Sequence, residues 1–464
     1  MINLKGLNGA PRGGRRGRTH PVAPWTLALV ILAVNSATLS AAECPANDCP
    51  VQFGGPPATP DCIYYPPPCD GQYPLGAMPV PGVEGLPGEW PQGQTPPDLG
   101  APSTSPEGTS PAPTAPGSGS ADAGLPGGLG AVAASESPGV HMIGDFFGSG
   151  YFLGGTDGFA TVPGAGGDRR FKATDNLSPL PQDRVFFNYH HFHNAVSDID
   201  AVNRSVDRFT FGYEKTCLDQ TVSFEVRVPF ASGLDSAQSF GSEDTVATEF
   251  GNIALTVKAL LWQHNSLSFA SGLATVLPVA EDASVEGDGT FTLLENNAVH
   301  LQPYVGVSYA NPCRRLFSTA YLAVDFDANG NALSTGSASP GFAPILTPLG
   351  DVRDQTLLFV DWQLGYWLYQ DYGHIGYLNG IAPVIELHYS QALEDPVDLG
   401  VYTNPFGRAD LLNLTAGLVF DFRRAATVTV YGAAPLRREE AIIFGRPVSP
   451  VFQAEFGVQA IYRY

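Results

Sequence analysis

From Arg184 to the C-terminus, apolar and polar residues alternate in short runs. Phe209, Phe211 and Tyr213 interleave with Arg208, Thr210, Gly212 and Glu214. Ile253, Leu255, Val257, Ala259 and Leu261 oppose Asn252, Thr256 and Lys258. Val299, Leu301, Val305 and Val307 oppose His300, Gln302, Gly306 and Ser308. Ile385, Leu387 and Tyr389 oppose Glu386 and His388, and Leu412, Leu414, Leu418 and Phe420 oppose Asn413, Thr415, Gly417 and Asp421. A period of two places successive side chains on opposite faces of a strand. The pattern predicts twelve strands, near 184–194, 207–217, 221–230, 248–262, 266–277, 298–309, 315–326, 355–370, 379–390, 410–422, 425–433 and 451–464.

A soluble β-sandwich shows the same period, so the connections decide. Several successive pairs are joined by about two to five residues, and the intervening pairs by roughly 17 to 28, as in barrels with short turns at one end and long loops at the other. Most segments also reach the roughly 9–11 residues that a tilted spanning strand needs. The fold class expected is therefore all-β: a closed antiparallel transmembrane β-barrel over 184–464. An even strand count puts both barrel ends on the short-turn side. Polar faces turned inward suit a wet lumen, with Arg208, Glu214, Glu225, Arg227, Asn252, Lys258, His300, Gln302, Glu386, His388 and Arg463 as its candidate wall residues.

The sequence before the strands reads differently. Arg12, Arg15, Arg16 and Arg18 precede an apolar run from Pro24 to Val34 and the small residues Ser40-Ala41-Ala42. That layout predicts a signal peptide over 1–42. Residues 43–140 hold about half of the 41 prolines and no Lys or Arg. Such a segment cannot bury enough apolar area to offset its ordering entropy, and it reads as a disordered periplasmic spacer. Its Cys44, Cys49, Cys62 and Cys69 allow two disulfides in three pairings. Residues 141–183 concentrate Phe146, Phe147, Tyr151 and Phe152 among glycines, with a basic patch at Arg169-Arg170-Phe171-Lys172. This segment is expected to pack on the short-turn end of the barrel or to enter its lumen.

Composition narrows the chemistry. Charged residues are 15% of the chain and the net charge is -21, which argues against a nucleic-acid partner. No run of apolar residues reaches the length of a membrane helix. Neither Gly-x-Ser-x-Gly nor His-Glu-x-x-His occurs, so no enzyme is expected. Of His190, His191 and His193, the first two face opposite ways and cannot easily share an ion, and a tetrahedral site needs about four convergent ligands, so neither a metal nor a cofactor is expected. Cys217 and Cys313 fall near short turns on strands almost opposite each other, too far apart for a direct bond; either could instead pair with an N-terminal cysteine.

The chain ends on alternating aromatics: Phe456, Tyr462 and Tyr464. This resembles the terminal strand by which outer-membrane barrels are recognised, and the resemblance implies the barrel assembly machinery as a partner. Met142-Ile143-Gly144-Asp145-Phe146-Phe147 and the run from Phe171 through Asp175-Asn176-Leu177-Ser178 to Tyr189 resemble segments of planctomycete outer-membrane barrel proteins, which place them just before and within the first strand. That resemblance implies location and fold rather than a transported solute.

Three functions are expected in order: passive diffusion of small hydrophilic solutes through the lumen; a structural anchor with a filled barrel whose residues 43–140 engage the periplasmic wall or a protein; and uptake of hydrophobic substrates past a partial plug. For an open pore, loop acids such as Asp198, Asp235, Glu281, Asp282, Glu295, Asp327, Asp354, Glu394, Asp395 and Asp398 favour cations.

Overall fold

The computed structural model describes residues 140–146, 151–154, 159–161, 170–197, 203–239, 247–287, 289–339, 342–371, 377–423, 425–437, 441–443, 446–448 and 452–464. The expected signal peptide, almost all of the Pro-rich spacer and its four cysteines lie outside these residues.

Twelve strands form one ring. They are β1 (Arg184–Ser197), β2 (Asn203–Cys217), β3 (Val222–Leu234), β4 (Ile253–His264), β5 (Leu267–Leu277), β6 (His300–Ala310), β7 (Leu316–Asp327), β8 (Leu357–Tyr366), β9 (Leu378–Ala392), β10 (Asp410–Phe422), β11 (Ala426–Arg437) and β12 (Ala454–Arg463). Each pairs antiparallel with the next, and β12 closes on β1 from Arg463↔Arg184 to Ala454↔His193. The strands are 10 to 15 residues long. Closure leaves no unpaired sheet edge, which is the condition for a sheet to sit in hydrocarbon. The twelve expected strands are all present, with ends shifted by a few residues.

The alternation becomes an outside and an inside. Phe211, Phe224, Leu255, Leu261, Ile385, Leu418 and Phe456 are exposed on the outer face, whereas Arg208, Glu214, Glu225, Lys258, Gln302, Glu386 and Asn413 on the inner face are buried. The inner face also carries rings set against glycines. Phe186 lies across from Gly212, Tyr304 from Gly272, Tyr321 from Gly306, Phe317 from Gly365 and Tyr431 from Gly457. A Cβ at Gly212 would stand 1.9 Å from Phe186 Cζ, and one at Gly365 would stand 2.1 Å from Phe317 Cζ. The missing side chain is the space the neighbouring ring fills, an arrangement that supports glycine-containing strands in curved sheets.

The long loops hold structure that periodicity does not predict. Phe342–Val352, Asn331–Ser339, Thr290–Leu294, Ala283–Gly287 and Ala237–Ser239 make a five-stranded sheet in that order. The expected loop between β7 and β8 is thus largely a hairpin.

Candidate functional site

The lumen is the site to examine, and the chain itself occupies it. Val140 packs against a buried cluster that includes Ile143, Phe317, Trp367 and Tyr431. The chain then climbs along the wall. His141 O accepts from Gln363 Nε2 at 2.9 Å, Ile143 N donates to Glu386 Oε1 at 2.8 Å, and Phe146 meets the Phe359 ring at 5.4 Å. At the long-loop end, Phe152–Gly154 and Phe159–Thr161 form a small sheet with the loop strand Tyr402–Thr403. Tyr151, Leu153 and Ala160 join Val285, Leu294, Leu333, Val352 and Tyr402 in one apolar cluster there.

The chain then returns. Arg170 pairs with Asp325 at 2.8 Å and donates to Gln355 O at 2.6 Å. Ala173 N donates to Gln302 Oε1 at 2.8 Å, and Gln302 Nε2 donates back to Phe171 O. Lys258 donates to Ser178 O at 2.9 Å and to Leu180 O at 3.1 Å. Arg184, the first residue of β1, pairs with Glu214 and Glu225 at 2.6 Å each and donates to Asn176 Oδ1 and O at 2.8 Å. Asp183 at the short-turn rim receives Lys215 Nζ at 2.5 Å and Thr216 N at 2.6 Å. Burial opposes its ionised form, but these hydrogen bonds outweigh that and hold its pKa below the ordinary value.

The described residues 141–146 and 170–180 contact inward-facing wall side chains, while 151–154 and 159–161 pack on the long-loop strands. Every candidate wall residue except Arg463 is buried, from His300 and Gln302 at 0% to Glu225 at 5% exposure; the Arg463 side chain is 15% exposed, beside Asp421. Walls of a water-filled pore would be accessible. These side chains meet plug backbone, plug side chains and one another instead, so the expectation of a wet lumen does not describe this structure. Periodicity shows only that a face is polar; it does not show what the polar groups meet.

The structure adds inward residues that the sequence reading did not name, among them Asp325, Asp361, Gln363 and Glu455, all buried. Asp361 explains the omission. Its neighbours on the inner face of β8 are Leu357 and Phe359, which pack on Met142 and Phe146 of the plug. An apolar plug surface demands apolar wall residues, and that erases the alternation locally. His191 and His193 point outward; the His191 and Asp207 side chains are 34% and 38% exposed, respectively, and Nδ1 lies 2.8 Å from Asp207. Cys217 and Cys313 are not joined by a disulfide.

One inward group has the makings of a metal site: carboxylate and imidazole atoms of Asp145, Asp361 and His388 lie within 4.8 Å of one another. A tethered cation already sits there. Lys172 Nζ is 2.7 Å from Asp145 Oδ1, 2.6 Å from Asp361 Oδ1 and 3.4 Å from His388 Nδ1. The chain's own lysine therefore occupies the place between the two carboxylates.

Several loop acids brace backbone. Asp282 accepts from Asn296 N at 2.7 Å, Asp327 from Gly330 N at 2.7 Å and Glu394 from Thr356 N at 2.8 Å, while Arg408 pairs with Asp395 at 2.8 Å.

No protein-family model matches this chain, and no curated protein matches it. Solved structures similar to it include the NanC porin, at 8% identity over 61% of this chain and 100% of that one with a TM-score of 0.32. The β domain of the Bordetella autotransporter BrkA is 10% identical over 61% of this chain and 99% of that one, with a TM-score of 0.34. The Pseudomonas putida toluene transporter TodX is 13% identical over 69% of this chain and 98% of that one, with a TM-score of 0.30.

Proposed function

We propose that this chain is an outer-membrane channel whose lumen is closed by its own residues 140–183. The observation that carries the reading is the combination of faces on one closed ring. Large apolar side chains stand exposed on every side of the barrel, from Phe211 at 53% and Phe224 at 56% to Ile385 at 51%, Val430 at 48% and Phe456 at 60%. Water tolerates no such belt on a monomer, whereas lipid favours it. The inner face is polar and held by a segment that reaches it from the short-turn end. The short-turn end faces the periplasm in this reading, and the spacer 43–140 lies there, free to engage the envelope wall or a protein. The solute is small and hydrophilic, and those loop acids not braced against backbone give the mouth a cation preference.

Planar-bilayer recording of the full chain tests it. Wild-type protein shows brief, rare openings, and R170A/K172A, which loses the plug's two buried cations, opens more often. A large steady conductance in the wild type overturns the plug. Silence in both proteins favours the second reading, a membrane anchor, which the filled lumen also supports.

A further inference from the structure

The wall charges are sorted by sector. Strands β5 through β10 contain no Lys or Arg, yet they turn Asp325, Asp361, Glu386 and Asp421 inward. The inward cations Arg184, Arg208, Arg227, Lys258 and Arg463 lie on β1 to β4 and β12. Within the acidic sector, six buried side chains form two rows across three neighbouring strands. Asp361 pairs across to His388, which pairs to Asn413; Gln363 pairs across to Glu386, which pairs to Thr415.

This grid holds an excess of acceptors. Gln363 Oε1, Asn413 Oδ1 and Thr415 Oγ1 are buried without a hydrogen-bond partner, beside two carboxylates. A buried polar atom left unpaired is destabilising, so three on β8 and β10, the strands that flank β9, mark a surface built for donors. The plug brings donors together with one acid: its Asp145 accepts from Asn413 Nδ2 at 2.6 Å and from Lys172 Nζ at 2.7 Å. Lys172 brings an ammonium to Asp361, Thr174 Oγ1 donates to Asp361 at 2.6 Å, and the backbone N–H groups of Ile143 and Gly144 point at Glu386 at 2.8 and 3.3 Å. What sits on the grid is a primary ammonium shared with the plug's own Asp145 and accompanied by neutral N–H and O–H groups.

We propose that the grid of Asp361, His388, Asn413, Gln363, Glu386 and Thr415 is a binding site for primary ammonium solutes, and that Lys172 is its resident stand-in. An ammonium offers three directed donors to the carboxylates and the unpaired amide and hydroxyl oxygens. A quaternary ammonium of the same charge offers none. Passage of such a solute rests on the plugged-channel reading; binding at the grid does not.

The test uses the full chain with Lys172→Ala, which removes the stand-in and leaves the grid. Ethylammonium chloride raises the unfolding midpoint of this variant in detergent by about 3 °C over equal concentrations of sodium chloride or tetramethylammonium chloride. Wild type shows no such difference, and adding Asp361→Asn to Lys172→Ala abolishes it. If Lys172→Ala does not fold unaided, refolding yield with ethylammonium against tetramethylammonium reads the same site. Equal response to all three salts, or an ethylammonium effect that survives Asp361→Asn, overturns the proposal. Bilayer conductance fails separately if the channel reading is wrong, because the thermal measurement needs no open pore.

Discussion

The ring set against Gly212 gives a sharp prediction. Adding one methyl group, Gly212→Ala, places Cβ 1.9 Å from Phe186 Cζ and 2.3 Å from its Cε1 and Cε2. No Cβ contact is tolerated at that distance, so the ring or the strand must move. Phe186 is 4% exposed, with the Arg184 guanidinium 4.5 Å from its centroid and that of Arg227 at 5.9 Å. Arg184 is itself fixed by Glu214, Glu225 and Asn176. Moving the ring therefore disturbs the anchor at the plug's exit. Overpacking costs about 1–3 kcal/mol, and this site belongs at the upper end because the obstacle is a braced ring rather than a free side-chain tip. Phe186→Ala alone deletes a buried ring and costs about 3–5 kcal/mol. In the double variant the methyl occupies vacated space, so the double costs no more than Phe186→Ala. Urea unfolding of the four proteins in micelles, followed by tryptophan fluorescence, gives the coupling. Simple additivity within about 0.5 kcal/mol shows that ring and glycine do not share that space, and sinks the argument.

Other outcomes follow from the same contacts. Phe146→Ala removes the plug's ring from Phe359 and lowers stability by about 3 kcal/mol in urea unfolding, with more frequent bilayer openings. Glu386→Gln keeps the shape but withdraws the charge that receives Ile143 N and Gly144 N; proteolysis within 140–147 of the folded protein becomes faster, and unchanged cleavage counts against the contact. The pKa of Asp183 is depressed on folding, so its contribution is present above its unfolded value near 3.8 and fades as pH falls through the lower folded value; Asp183→Asn flattens the acid limb of the stability curve there. Removing Tyr464, which stacks on Tyr213 with centroids 6.4 Å apart, slows barrel assembly in cells, measured as accumulation of unfolded precursor.

The ring was legible because its signal is local. Each strand is written in consecutive residues such as Phe209, Phe211 and Tyr213, and turn length reports which end is which. The filling was half legible. Aromatics crowded into 141–155 pointed to burial, yet whether they entered the lumen depended on contacts such as Ile143 with Glu386, more than two hundred residues apart. The described residues 142–146 and 171–183 both contact the inner wall, and the second limb runs into β1. Asp361 and Asp325 were illegible for the opposite reason: the plug's Met142 and Phe146 require Leu357 and Phe359 on the same wall face, so polar and apolar positions no longer separate. The loop sheet was missed because a hairpin such as 331–352 and an unstructured acidic loop share glycine, serine and proline content.

The route of the chain through the barrel has a topological result. The described limbs 140–146 and 170–183 begin and finish at the same end, with the tip at 151–161 resting against Tyr402–Thr403. Among the described residues nothing is threaded: both limbs reach the short-turn end, and neither has to pass right through the closed ring to enter or leave. The filling is a loop tucked into a tube. It can go in after β12 has met β1, or come out and return, while every pairing of the twelve-strand ring stays whole. The cost of each excursion is set by the contacts between segment and wall and by the small sheet at its tip, and the sheet that the membrane requires is never opened to make it.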